Sequence, residues 1–140
     1  MRERRAEHER LRAREFDSFV GGAGGRLLHV ALLLTGEPAT AERLLTAALA
    51  RTYAAWDRLR GEDPYERART ELVEAFARSA RRHGRVPGAL LGPLPPPQRL
   101  VLVLRLSEDV AEEQIAAVLG LPVERVRTLC ARAVRTLVAR

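Results

Sequence analysis

The sequence predicts an all-α protein of two small helical domains, residues 16–82 and 98–140, joined by a Pro/Gly-rich linker over 83–97. Three observations carry that prediction. Apolar residues recur at helical spacing in three blocks of the first half. Residues 83–97 hold five of the eight prolines and three glycines, so no helix can run through them. The closing stretch, AEEQIAAVLGLPVERVRTLCARAVRTLV, reads as two helices around Gly120-Leu121-Pro122.

Residues 1–15 alternate Arg and Glu with little to bury, which fits either a solvated helical extension or a frayed tail. Phe16, Phe19 and Val20 open an apolar face that resumes at Leu27, Leu28, Ala31, Leu32 and Leu34. Between them stands Gly21-Gly22-Ala23-Gly24-Gly25. Glycines that cost about 1 kcal/mol each relative to alanine predict a break or kink there. A phosphate-cradling loop would need a preceding strand and a following Gly-Lys-Ser/Thr, and the sequence has neither.

Pro38 fits the first turn of the next helix, which runs to about Leu59 with Leu45, Ala48, Leu49, Thr52, Trp56 and Leu59 as its buried stripe. For Tyr53 and Trp56, stacking on nucleic-acid bases is the alternative to burial. A turn at residues 61–64 precedes a third helix from Tyr65 to about Arg82, with Leu72, Val73, Phe76 and Ala80 inward. Its end carries Arg78, Arg81 and Arg82, with Arg85 close behind. These arginines suit a nucleic-acid strand, and they also suit the negative end of a helix dipole without any ligand. Past the linker, Gln98 to Leu106 reads as a short apolar helix, and Asp109 is placed to cap the next one with Glu112 three residues on.

The final helix pair meets the demands of a helix-turn-helix. A small residue is needed where the helices cross, a glycine four residues later at the turn, and a branched apolar residue six beyond that; Ala116, Gly120 and Val126 supply them. At 100° per residue, Val123, Val126, Cys130, Ala133, Val134 and Leu137 fall on the side to be buried. Glu124, Thr128, Ala131, Arg132 and Arg135 face outward, with Arg125 and Arg127 on the flanks. From Val123 onward the chain has five Arg against one Glu, a surplus that suits a phosphate backbone. An ordinary amphipathic helix with a solvated arginine face is the plainer reading.

Composition narrows the function classes. The 140 residues carry a net charge of +6, and all 24 basic residues are arginine, which favours a polyanionic partner. One cysteine excludes an internal disulfide, and Cys130 reads as a small apolar filler. No apolar run approaches a membrane span, and the Arg/Glu-rich start lacks a signal core, so a cytoplasmic protein without a membrane partner is expected. His8, His29 and His83 are too scattered to form a metal site. No hydroxyl, thiol or histidine sits in a nucleophile context. The expectation is a non-enzymatic protein with no catalytic residues, no cofactor, no metal and no small-molecule substrate.

The order of parts resembles the extracytoplasmic-function (ECF) sigma factors of the bacterial sigma-70 family, particularly the short actinobacterial group, from Phe16 onward. FDSFV followed by LLHVALLLTGEPATAERLLTAALARTYAAWDRL is similar to the N-terminal core-binding and promoter-melting domain (region 2). LPPPQRLVLVLRLSEDVAEEQIAAVLGLPVERVRTLCARAVRTL is similar to the C-terminal promoter-reading domain (region 4). The resemblance implies that RNA polymerase core enzyme and promoter DNA are partners, and that an anti-sigma factor is a further one. It implies DNA contact by Glu124, Arg125, Arg127, Thr128, Arg132 and Arg135, and by Arg78, Arg81 and Arg82 at the end of the third helix. The polymerase-binding surface it implies comprises Glu42, Arg43, Leu45, Thr46 and Leu49, with Leu44 beside them.

Departures from the family pattern have physical consequences. Arg43, Thr46 and Ala47 stand where acid, amide and acid are usual, so the local charge of the docking surface is inverted. Glu74 replaces a customary asparagine and would repel a DNA strand. Leu129 stands where many members have arginine. The short linker spans at most about 50 Å when extended, which keeps the two halves close. Two other classes compete with the initiation factor: a sigma-like DNA-binding regulator that does not initiate transcription, and a protein-interaction module for a regulatory partner.

Overall fold

The computed structural model describes residues 1–139. Six α-helices follow in order among them: α1 (Arg2–Thr35), α2 (Pro38–Ala54), α3 (Pro64–Arg78), α4 (Pro96–Leu102), α5 (Glu112–Leu119) and α6 (Val123–Val138). Short 3-10 turns follow α2 at Trp56–Arg58 and α3 at Ala80–Arg82, and a π turn, Val103–Ser107, extends α4.

The expected break at Gly21–Gly25 is absent, and α1 runs through it without interruption. No atom of a neighbouring element approaches the place of a Cβ at Gly21, Gly22 or Gly25, so these glycines serve neither a turn nor a close contact. Packing on both sides offsets their helix cost. On one side Phe16 and Phe19 meet Tyr53 and Trp56, with ring centroids 4.8 Å apart for Phe16–Tyr53 and 5.3 Å for Phe16–Trp56. On the other, Leu27, Val30, Ala31 and Leu34 are fully buried. By length, and by a mean hydropathy of 1.3 over its most apolar window, α1 could cross a membrane. Its buried side, with Leu27, Val30, Ala31 and Leu34, packs inside the protein.

Residues 2–15 form the start of α1, and their last turns clasp the end of α2. Arg12 donates to the Tyr53 carbonyl and covers the Tyr53 ring at 4.3 Å. His8 lies 3.2 Å from Asp57, and the Trp56 indole donates to Glu15 at 3.3 Å. Tyr53 and Trp56 are thereby packing residues of the α1–α2 corner.

Local chemistry explains the helix boundaries. Gly36 ends α1 in the left-handed conformation (φ 70°), and a Cβ there would lie 2.9 Å from Ala89. Glu37 caps α2, accepting from the Ala39 and Thr40 amides and, at 2.6 Å, from the Thr40 hydroxyl. Those hydrogen bonds, the Thr40 hydroxyl first, hold its carboxyl below the ordinary value. Asp63 caps α3 through the Tyr65 amide. The third helix ends at Arg78, earlier than the sequence predicts, and Arg81 and Arg82 lie in the 3-10 turn beyond it.

Residues 83–95 are a folded series of turns with Leu91 and Leu94 buried, and 96–97 already belong to α4. Val86 and Gly92 pair across it, and a Cβ at Gly92 would collide with the Val86 carbonyl at 1.8 Å. Arg99, only 1% exposed, staples this segment: it donates to the carbonyls of Leu34 at 2.7 Å, Gly84 at 2.8 Å and Leu94 at 2.9 Å. No carboxylate neutralises it among the described residues, and burial lowers its pKa. Helix α4 begins at Pro96 rather than Gln98, since proline suits a first helical turn.

Asp109 does not cap α5. Its φ is 52° and its carboxylate pairs with Arg105 at 3.4 Å, while the N-cap position falls on Ala111. The neighbouring Glu108 is buried instead, held by Tyr65, Arg69 and Arg26 from α3 and α1. One apolar cluster runs from Val30 and Leu34 through Leu72, Phe76, Leu94 and Val101 to Ile115, Val126 and Leu129. The segments 16–82 and 98–139 therefore meet through a shared core.

Candidate nucleic-acid interface

The crossing of α5 and α6 has the form the spacing predicts. Ala116 is buried where the helices meet, and Gly120 takes φ 67° to end α5. Leu121 closes the turn with its amide on the Ala116 carbonyl at 2.9 Å. Val126 is fully buried and seals the pair. Helix α6 starts after Pro122, which offers no side-chain cap, so the first amides of α6 point outward unsatisfied by a side chain.

The outer face of α6 exposes Glu124, Arg125, Arg127, Thr128, Arg132 and Arg135. Arg125, Arg132 and Arg135 make no ion pair among the described residues. Arg127 pairs with Glu112 of α5, Nε to Oε1 at 3.4 Å, and stays half exposed. The Thr128 hydroxyl donates to the Glu124 carbonyl at 2.9 Å, leaving its lone pairs free to accept.

The inner face differs from expectation at two places. Leu129 is 4% exposed and belongs to the core, whereas Val134 is 40% exposed. Cys130, Val123 and Leu137 lie at the edge of the cluster. The cause is that α6 is covered by α4 as well as α5, so its buried arc follows Val126, Leu129 and Ala133. Leucine at 129 is thus a packing choice and does not lie on the exposed arginine face. Burial and the nearby Glu112 charge raise the Cys130 thiol pKa, which suits an inert filler.

Arg78, Arg81 and Arg82 are exposed at the end of α3 and make no ion pair among the described residues. Nearby, Phe76, Ala77, Pro96, Leu100, Leu121 and Leu129 line an apolar groove of about 240 Å³ between α3, α4 and α6. On α2, Glu42, Arg43 and Thr46 share an exposed shallow face with Ala39, Ala47 and Ala50. Leu45 and Leu49 are half-buried, and Leu44 packs against the core. Glu74 is exposed on a surface formed by α3 and the turn before it, which it shares with Glu62, Asp63, Glu66 and Glu71 against Arg67.

His83 is buried, stacked on Phe76 at 4.8 Å and bonded to Ser79 at 2.7 Å; burial first, then Arg99 and Arg82, lowers its pKa. No group of three His, Cys, Asp or Glu able to hold a metal occurs among the described residues. Sequence reasoning missed Arg99 and Glu108. Arg99 carries a faint signal as a charge inside the apolar run QRLVLVL, but its three carbonyl partners lie on separate segments.

The family described as sigma-70, region 4, matches residues 90–138. An RNA polymerase sigma-E factor of Streptomyces avermitilis is 32% identical over 148 aligned residues, covering 88% of this chain and 83% of that protein.

Proposed function

Because this chain belongs to the sigma-70 family, as a member of its ECF branch, we propose that it binds RNA polymerase core enzyme and directs it to promoter DNA. One observation carries the reading most: α6 exposes Arg125, Arg132 and Arg135, which make no ion pair among the described residues, and Arg127, which stays half exposed, while Ala116, Gly120 and Val126 fix its crossing with α5. A helix so held can enter a major groove by its N-terminal end. Arg125, Arg127 and Thr128 would then face base edges, Arg132 and Arg135 the phosphates, and Glu124 a cytosine amino group. The outward amides at the start of α6 add donors for a phosphate. On this reading the protein works in the cytoplasm without chemistry of its own, and α2 offers Glu42, Arg43, Leu45, Thr46 and Leu49 to the polymerase.

Transcription in vitro with core enzyme on genomic fragments tests this reading. Discrete start sites that depend on the protein are expected, and core enzyme should co-purify with it. The absence of both initiation and co-purification would remove the proposal.

The acid-lined face of α3 favours a second reading. Glu62, Glu66, Glu71 and Glu74 outnumber Arg67 there and oppose a DNA strand, so promoter melting is the step this chain is least equipped to perform. A regulator that binds duplex DNA through α6 without opening it would shift promoter fragments in the absence of polymerase and yield no transcripts.

A further inference from the structure

We infer that Glu112 is a positioning residue for Arg127, holding its guanidinium so that the two terminal nitrogens meet a guanine end-on. The inference rests on the DNA-reading role proposed for α6. Glu112 stands on α5, and its Oε1 accepts from Arg127 Nε at 3.4 Å, so the bond ties the two helices of the motif at the edge of the reading face. Arg127 is 54% exposed at its side chain and Glu112 31%, which leaves the terminal end of the guanidinium open to solvent.

Other acids stand close in sequence without doing this. Glu124, one turn before Arg127, and Glu113, next to Glu112, are exposed and make no ion pair among the described residues. Among the described arginines of the outer face, Arg127 alone is tethered.

An exposed pair of this kind contributes little to stability. Its effect lies in geometry. With Nε occupied, Nη1 and Nη2 remain as a fork, the arrangement that fits guanine O6 and N7 in the major groove. Freezing a long side chain beforehand removes part of the ordering cost of that contact. The carboxylate also works against the wrong site: where no base acceptor meets the fork, Glu112 adds repulsion toward the backbone phosphates that a freely swinging arginine would otherwise mask.

The test uses the full chain assembled with core polymerase, and double-stranded DNA with a randomised upstream segment as the probe, followed by single-base variants of the selected sequence. Arg127→Ala should flatten the preference at one base pair, a guanine. Glu112→Ala should weaken preference at that same pair by about threefold or more, and should tighten binding to unselected duplex. Glu112→Gln, which keeps an acceptor for Nε, should restore most of the preference. Adding Glu112→Ala to Arg127→Ala should cost no further discrimination. The inference is overturned if Glu112→Ala changes affinity for all duplexes alike, or if its loss of preference falls at a different base pair. Absence of any sequence preference in the unaltered protein would overturn both this inference and the DNA-reading role. A preference lost in Arg127→Ala but intact in Glu112→Ala would overturn this inference alone.

Discussion

The Tyr65 hydroxyl donates to the Glu108 carboxylate across 2.5 Å, joining α3 to the turn ahead of the helix-turn-helix. Arg69 meets the same carboxylate at 3.1 Å and Arg26 at 3.3 Å, and Arg26 also covers the Tyr65 ring at 4.3 Å. The Glu108 side chain is 2% exposed, so the carboxylate is taken out of water and replaced with fixed donors from two other helices. The same contact raises the Tyr65 pKa, burial contributing first and Glu108 next.

Removing that carboxylate should leave the part-buried Arg69 without its counter-charge. Glu108→Ala is expected to lower stability by about 3 kcal/mol, and Tyr65→Phe by about 1 kcal/mol. Urea denaturation checks both through the midpoint at unchanged slope. Midpoints equal to that of the unaltered protein would show that the lock does not hold the two segments together.

Arg99→Met should be as harmful, though methionine fits an apolar site. The buried carbonyls of Leu34 and Leu94 and the part-buried one of Gly84 would lose their donor, at a cost of about 3 kcal/mol in total. Arg99→Lys should recover part of this, since an ammonium reaches fewer of the three. A thermal melt that places lysine no better than methionine would contradict the staple.

His83 makes stability depend on pH. Its pKa is lowered in the fold from the ordinary 6.5, by burial first. Between the two values the unfolded chain binds more protons than the native one, so stability rises with pH in that window. The His83 contribution is complete above 6.5 and is lost as pH falls toward the folded value. His83→Gln should remove that part of the slope; denaturation series at stepped pH with parallel slopes in both proteins would count against it.

Helix α1 can be stabilised where its glycines have no structural task. Gly21→Ala, Gly22→Ala and Gly25→Ala add a methyl group into open space, and each should raise stability by about 0.5–1 kcal/mol. Gly36→Ala should instead destabilise, because of its φ of 70° and the Ala89 contact. Melting temperatures of the four variants should separate into these two groups.

On DNA, Arg132→Ala should weaken binding across sequences and reduce the salt-dependence slope by about one unit, as expected for a phosphate contact. Binding measured over a range of salt concentrations decides it: an unchanged slope would place Arg132 away from the backbone.

Which parts of this molecule were readable in one dimension follows from the range of the forces involved. Helix existence, the Glu37 and Asp63 boundaries with their following prolines, and the Ala116, Gly120 and Val126 crossing depend on residues within a few turns of one another, so the order of amino acids determined them. So did the arginine face of α6, because helical periodicity alone separates it from the apolar side. Continuity of α1 through its glycines was decided by packing at both ends, which a local propensity cannot see. The burial of Leu129 in place of Val134 was decided by α4, a second neighbour that no periodicity of α6 could announce. The polar locks were decided last and at longest range: Arg99 reaches a carbonyl 65 residues away, and Glu108 meets arginines 39 and 82 residues away. Their partners are brought together only by the collapse of the shared core, and a buried charge can persist there only because that collapse supplies its donors and acceptors.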